Sequence, residues 1–194
     1  MDDVLERELT RAAGHHGHLC PGTVIGVRMA LAGLRAIGIT DAKGSQGKSL
    51  MAFVETDRCP LDAFQFVTGC RVSTRSLRLY DYGKLAATFV NLATGQTVRL
   101  VCPEETRKLV DQYCPAGISD EKARMVEAYK RMPEAQLFTT QHVRLTTSLD
   151  ALQAKVKHKV VCSQCGEWVR DKKEVEQNGR ILCRACAHGA YYTL

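Results

Sequence analysis

Four cysteines near the C-terminus constrain the fold more tightly than anything else in this chain. Cys162 and Cys165, then Cys183 and Cys186, form two Cys-x2-Cys pairs with seventeen residues between them. Two such pairs supply tetrahedral, soft ligation for a closed zinc site. A module of fewer than about 40 residues cannot bury enough apolar surface to fold alone, so the metal provides much of its folding free energy. Val160-Val161, Trp168-Val169 and Ile181-Leu182 supply short strands, and Gly166 fits the tight turn after the first pair. From Cys183 onward the chain predicts a terminal helix bearing the second pair, as in a treble-clef finger. Rubredoxin-like iron or a redox dithiol would use similar spacing. Nothing nearby suggests electron transfer, so structural zinc, one per chain, is the expectation.

The second dense cluster lies at the other end, in His15-His16-Gly17-His18-Leu19-Cys20-Pro21-Gly22. Proline is preorganised for the first turn of a helix. That puts Cys20 at an N-cap and His16 and His18 in the loop before it. A helix N-terminus carries about half a positive charge, which favours a thiolate. Imidazole and thiolate there suit a zinc-class metal or redox chemistry. The pattern returns at Cys59-Pro60, straight after a predicted strand over residues 48–55. Two Cys-Pro helix starts in one domain suggest helix N-termini that converge on one site, with His16, His18, Cys20 and Cys59 as candidate ligands. Cys20, Cys59 and Cys70 are candidate reactive thiols. Glu55, Asp57 and Asp62 are candidates to orient a ligating histidine. Cys102 and Cys114 read as structural.

Between these landmarks, apolar periodicity predicts helices over residues 2–13, 21–37, 60–68, 103–113 and 119–132, the last capped by Ser119. Residues 85–92 and 97–101 read as a hairpin across a Thr-Gly turn, and a last strand is expected over 137–145. The expected division is a core domain over 1–145, a polar linker over 146–158 and the finger over 159–194. The opening residues are acidic and helical, unlike an export signal, and no run of eighteen apolar residues exists, so a cytoplasmic protein with no membrane span is expected. Nine cysteines then read as ligands or reactive thiols rather than disulfides. The net charge of +6 is uneven, +4 over residues 151–194 and +2 over the rest. Lys155, Lys157, Lys159, Lys172 and Lys173 make nucleic acid a lesser reading. The long buried helices leave room for a homodimer.

Taken together, His16-Gly17-His18-Leu19-Cys20-Pro21-Gly22, then Glu55, Cys59, Asp62-Ala63 and Gly69-Cys70, then Asp81-Tyr82-Gly83-Lys84, resemble the FmdE-like family of formylmethanofuran dehydrogenase proteins. The resemblance covers residues 10–145, and the four-cysteine tail matches the zinc finger that some members carry. It implies an α+β fold, with a mixed β-sheet flanked by helices in a thioredoxin-like core, and a treble-clef zinc finger behind it. It also implies a metal-binding active site in that core, built from the His-Gly-His-x-Cys loop and the later cysteines, so a second metal beside the finger's zinc. The function implied is that of a subunit or accessory protein of a molybdenum or tungsten oxidoreductase of the formylmethanofuran dehydrogenase type. The alternative is a non-catalytic module that delivers a metal or cofactor, its finger docking a protein or nucleic acid. One stretch departs from the family pattern: Arg71-Val72-Ser73-Thr74-Arg75-Ser76-Leu77 stands where a glycine-rich loop is usual. The change removes backbone conformations that glycine reaches easily and adds two cations.

Overall fold

The computed structural model describes residues 3–154 and 157–193 and divides the chain into two compact units, Met1–Thr146 and Thr147–Leu194. In the first unit the segment α2 (Pro21–Ala36) is apolar on nearly every face and becomes the spine, with Val24, Val27, Met29 and Ala30 fully buried. Around it pack α1 (Asp3–His16), α3 (Pro60–Thr68) and α5 (Glu121–Arg131). Its other side meets the sheet strands β3 (Ala86–Asn91) and β4 (Thr97–Val101). Two glycines allow this closeness. A Cβ on Gly26 would stand 2.8 Å from the Pro60 Cα on α3, and one on Gly33 would stand 2.2 Å from the Phe89 ring on β3.

The sheet is mixed, in the order β2-β1-β3-β4-β5. Its strand β1 (Leu50–Val54) pairs in parallel with β2 (Leu77–Leu79) and antiparallel with β3, while β5 (Thr139–His142) closes the far edge. Period-two alternation sends Leu50, Ala52, Val54, Ala87, Phe89, Val98 and Leu100 into one core with the helices. The opposite face carries Phe53 and Arg99, whose guanidinium clasps the Glu55 carboxylate (2.6 and 2.7 Å). This is an α+β fold with helices flanking a mixed sheet.

Several boundaries differ from expectation, each for a local reason. The first helix runs on to His16, so that His16 ends a helix rather than sitting in a loop, and Gly17 (φ +94°) turns the chain there. Asp2, where that helix was expected to begin, lies outside the described residues. Residues 103–113 split into a 3-10 turn (Glu104–Leu109) and α4 (Val110–Tyr113). Asp120, not Ser119, caps α5 by accepting from the Ala123 amide at 2.8 Å. The last strand is shorter than 137–145, because Pro133 opens a one-turn helix, α6 (Glu134–Leu137), that uses up its first residue. Strand β2 was not expected at all.

The second unit begins with α7 (Leu149–Gln153), inside the stretch read as a linker; Lys155 and Val156 of that stretch lie outside the described residues. Two hairpins follow, β6 (Lys159–Val161) with β7 (Trp168–Arg170), and β8 (Val175–Gln177) with β9 (Arg180–Leu182), then α8 (Arg184–His188). Its core is small: Cys162, Val169 and Leu182, backed by Val160, Cys183, Cys186 and Ala187. Ser163 ties the first cysteine turn to β9 through its amide and hydroxyl, which both donate to the Ile181 carbonyl (2.8 and 2.7 Å). No helix among the described residues is long and apolar enough to cross a membrane.

Candidate metal centre

The core cluster is assembled from three chain segments. Helix α1 delivers His16 at its last position. Cys20, in extended conformation (φ −123°, ψ 165°), caps α2, its sulfur accepting from the Thr23 amide at 3.4 Å and lying 3.2 Å from the Thr23 hydroxyl. Cys59 precedes Pro60 at the start of α3. Gly22 lets the two helix starts meet, since a Cβ there would lie 3.1 Å from the Cys59 Cβ. As a result His16 Nε2 or Nδ1, Cys20 Sγ and Cys59 Sγ offer ligand atoms that all lie within 4.8 Å of one another.

Asp62, in the first turn of α3, holds the His16 ring: its Oδ2 lies 2.7 Å from Nδ1. That contact places Nδ1–H toward the carboxylate and leaves Nε2 facing Cys20, 4.0 Å from its sulfur. It also raises the His16 pKa above its ordinary 6.5, an effect that burial opposes and the nearby Cys20 reinforces. Burial alone would push the Cys20 thiol up. Hydrogen bonds from the Thr23 hydroxyl and amide, the Cys59 thiol and the Gly22 amide outweigh it and bring Cys20 below its usual value. Cys59 moves the other way, raised by burial and then by donating its proton to Cys20. The thiolate therefore rests on Cys20. Two sulfurs and one oriented imidazole form a Cys2His set of the kind that holds zinc-class ions with a fourth position open. Sulfurs around a tetrahedral zinc stand about 3.8 Å apart, so only small side-chain rotations separate this cluster from bonding distance.

The other expected residues are placed as follows. His18 is exposed, its ring tilted against His16 with centroids 4.8 Å apart, and it is not among the three gathered donors. His15 turns away to stack on Phe66. Cys70 is buried, its thiol directed at the Leu50 carbonyl 4.0 Å away and raised in pKa by burial. Glu55 is committed to Arg99, and Asp57 stands beside Arg58 at 3.6 Å. Of the three carboxylates, only Asp62 reaches a histidine. Cys102 is buried and pushed up to about 11, while the Cys114 thiol donates to the Pro115 carbonyl. Thr23 and Gly22 were not anticipated. A hydroxyl three positions after an N-cap cysteine was the available signal for Thr23.

Residues 15–139 match the family described as "FmdE, Molybdenum formylmethanofuran dehydrogenase operon", which is more than half of the chain. The chain belongs to the FmdE family. A solved FmdE-like protein of tungsten formylmethanofuran dehydrogenase, from Syntrophus aciditrophicus, shares this fold: the TM-score is 0.64 at 22% identity, over 97% of this chain and 95% of that one. A curated protein of Archaeoglobus fulgidus, described as a probable S-adenosyl-L-methionine-binding protein, is 29% identical across 98% of this chain. The chain spans about half (55%) of that relative's length.

Beyond the FmdE core, residues 157–192 match the prokaryotic dksA/traR C4-type zinc finger. The sulfurs of Cys162, Cys165, Cys183 and Cys186 lie within 4.8 Å of one another, with Cys165 and Cys183 at 3.9 Å. Cys162 is lowered to about 6 by the backbone amides of Cys165, Cys183 and Gln164. Cys186 is pushed up to about 12, chiefly by its hydrogen bond with Cys183. Four sulfurs this close cannot all ionise without a cation among them, so the donor set and its spacing fit zinc. Around this finger Lys157, Lys159, Lys172 and Lys173 are exposed, and Lys159 lies over the Trp168 ring at 3.9 Å. Lys155 is outside the described residues.

Proposed function

We propose that this FmdE protein holds two metal ions per chain. One is the finger's structural zinc on Cys162, Cys165, Cys183 and Cys186, and the other a functional ion in the core on His16, Cys20 and Cys59. We further propose that it works as a subunit or accessory protein of a molybdenum or tungsten oxidoreductase of the formylmethanofuran dehydrogenase type. One observation carries the core-site reading: three donors of zinc-class chemistry, separated by up to 43 positions in sequence, come within 4.8 Å, and a carboxylate orients the imidazole.

A cation held there would supply a Lewis-acid centre with a vacant position for water or a substrate oxygen or sulfur. The rest is done by the chain itself. Thr23 shares its hydroxyl and amide with Cys20, keeping that sulfur ionised and fixed at the head of α2. Asp62 sets the imidazole tautomer and keeps Nε2 free as a donor. Cys59 holds the proton in the metal-free chain and must release it on loading, so binding frees at least one proton.

The test is metal content per chain, by elemental analysis, of wild type beside Cys59→Ser and His16→Ala, with circular dichroism to check folding. Two ions in wild type and one in each variant support the reading. Equal metal content in all three sinks the core site and leaves the finger untouched.

A further inference from the structure

We propose that the edge of the sheet around β2 binds single-stranded nucleic acid, through a strip of rings and cations separate from the core donors. Residues 71–84 carry Arg71, Arg75, Arg78 and Lys84 against the single acid Asp81. Within this basic stretch two large rings face solvent, Tyr80 at 45% and Tyr82 at 62% exposure. They continue a ladder that starts inside the sheet. Tyr80 stacks on Phe53 of β1, centroids 6.0 Å apart and planes inclined by 30°, and Tyr82 follows at 6.2 Å. Cations close both ends: the Arg78 guanidinium lies 6.0 Å from the Phe53 centroid, and the Lys84 ammonium 5.8 Å from that of Tyr82.

The strip is held rigid by its backbone. The amide of Tyr80 donates to the Val54 carbonyl (2.9 Å), and those of Tyr82 and Lys84 both donate to the Glu55 carbonyl (3.1 and 3.0 Å). Asp81 turns its carboxylate back onto the Gly83 amide (3.0 Å), which draws the one negative charge toward its own turn. Gly83, at φ +65°, is where the turn needs glycine. Extended backbone sends residues 78, 80, 82 and 84 to the same side, giving the order cation, tyrosine, tyrosine, cation.

That order matches how single strands are held, with rings stacking on the bases and cations following the phosphates. Two rings in succession call for two bases in succession, and a mononucleotide would engage only one. The flat faces and the net positive charge favour this ligand over a protein surface, which would be better met by aliphatic side chains. Base identity would be read weakly, because stacking accepts any base.

The experiment is fluorescence anisotropy of a labelled single-stranded oligomer of about 12 nucleotides, as RNA and as DNA, against the zinc-loaded full chain at about 50 mM salt. Wild type should bind, with affinity falling steeply as salt rises. Tyr80→Ala/Tyr82→Ala, both exposed and checked for folding by circular dichroism, should weaken binding by about 30-fold or more. Lys84→Gln should lower the slope of log affinity against log salt by about 0.7. The proposal is overturned if wild type fails to bind, or if the double variant binds as wild type does. It is equally overturned if duplex DNA binds as tightly, or if adenosine monophosphate displaces the oligomer at equal nucleotide concentration. Displacement by polyglutamate of the same charge would reduce the strip to a basic surface, and loss confined to Lys172→Gln/Lys173→Gln would move the site to the finger.

Discussion

Two glycines in two helices should respond oppositely to the same substitution, and the difference tests how the core centre is built. Gly14 lies in α1 with nothing within 4 Å of where a Cβ would stand. Gly14→Ala therefore gains only the helix-propensity benefit, about 0.5–1 kcal/mol. Gly26 lies in α2, where the new Cβ would meet the Ala63 Cβ at 2.7 Å, the Pro60 Cα at 2.8 Å and the Pro60 carbonyl oxygen at 3.0 Å. Two of these neighbours are backbone atoms that no rotamer change can move, so the start of α3 must retreat by about 0.6 Å to restore ordinary contact at 3.4 Å. Overpacking of this kind costs about 1–3 kcal/mol and outweighs the propensity gain. The net loss is about 1–2 kcal/mol, or about 3–6 °C in melting temperature for a chain of this size. Cys59 and Asp62 ride on the segment that moves, so Gly26→Ala should also weaken the core ion while the finger keeps its own. Thermal and urea denaturation of the zinc-loaded variants read the first effect, and competition against a graded chelator reads the second. A Gly26→Ala chain as stable as Gly14→Ala, or one that holds the core metal as wild type does, would refute the packing argument.

Four further outcomes follow from the same contacts. Asp62→Asn should lower core metal affinity by about 10–100-fold without changing the finger, measured by chelator competition. His18→Ala should keep the full metal complement, because its ring lies beside the three donors and not among them. Arg99→Met strands the buried Glu55 carboxylate and should cost about 2–3 kcal/mol in urea denaturation, near the low end for breaking a buried pair because Arg99 is partly exposed. In the metal-free chain, the raised pKa of His16 adds stability that is complete below the ordinary 6.5 and disappears as pH rises through the raised value. The difference in unfolding free energy between wild type and Asp62→Asn, followed with chelator from pH 5 to 9, should shrink toward high pH; a difference that grows would contradict the Asp62–His16 assignment.

What could be read from the residues was whatever local chemistry decides. Cys20-Pro21 and Cys59-Pro60 announce helix starts because proline suits the first turn whatever surrounds it, and Gly69 (φ +70°) ends α3 for an equally local reason. Strand β2 was not legible: three residues are too few to show alternation, and its parallel partner β1 lies across an intervening helix, so only the closed sheet identifies it. Asn178-Gly179 between β8 and β9 was legible and overlooked, both residues having the positive φ of a two-residue hairpin turn. Among the candidate donors the same divide holds. His16 and His18 look alike in sequence, and composition gives no reason to prefer either. The choice depends on where α1 stops. Running to His16, the helix places that ring above the first turn of α3, where Asp62 can hold it, and Gly17 then turns His18 out to solvent. Which imidazole faces the thiols is thus settled by a helix end and by Gly22 and Gly26, whose missing side chains let α2 and α3 approach. Those glycines carry no metal chemistry, yet filling either space would separate Cys20 from Cys59.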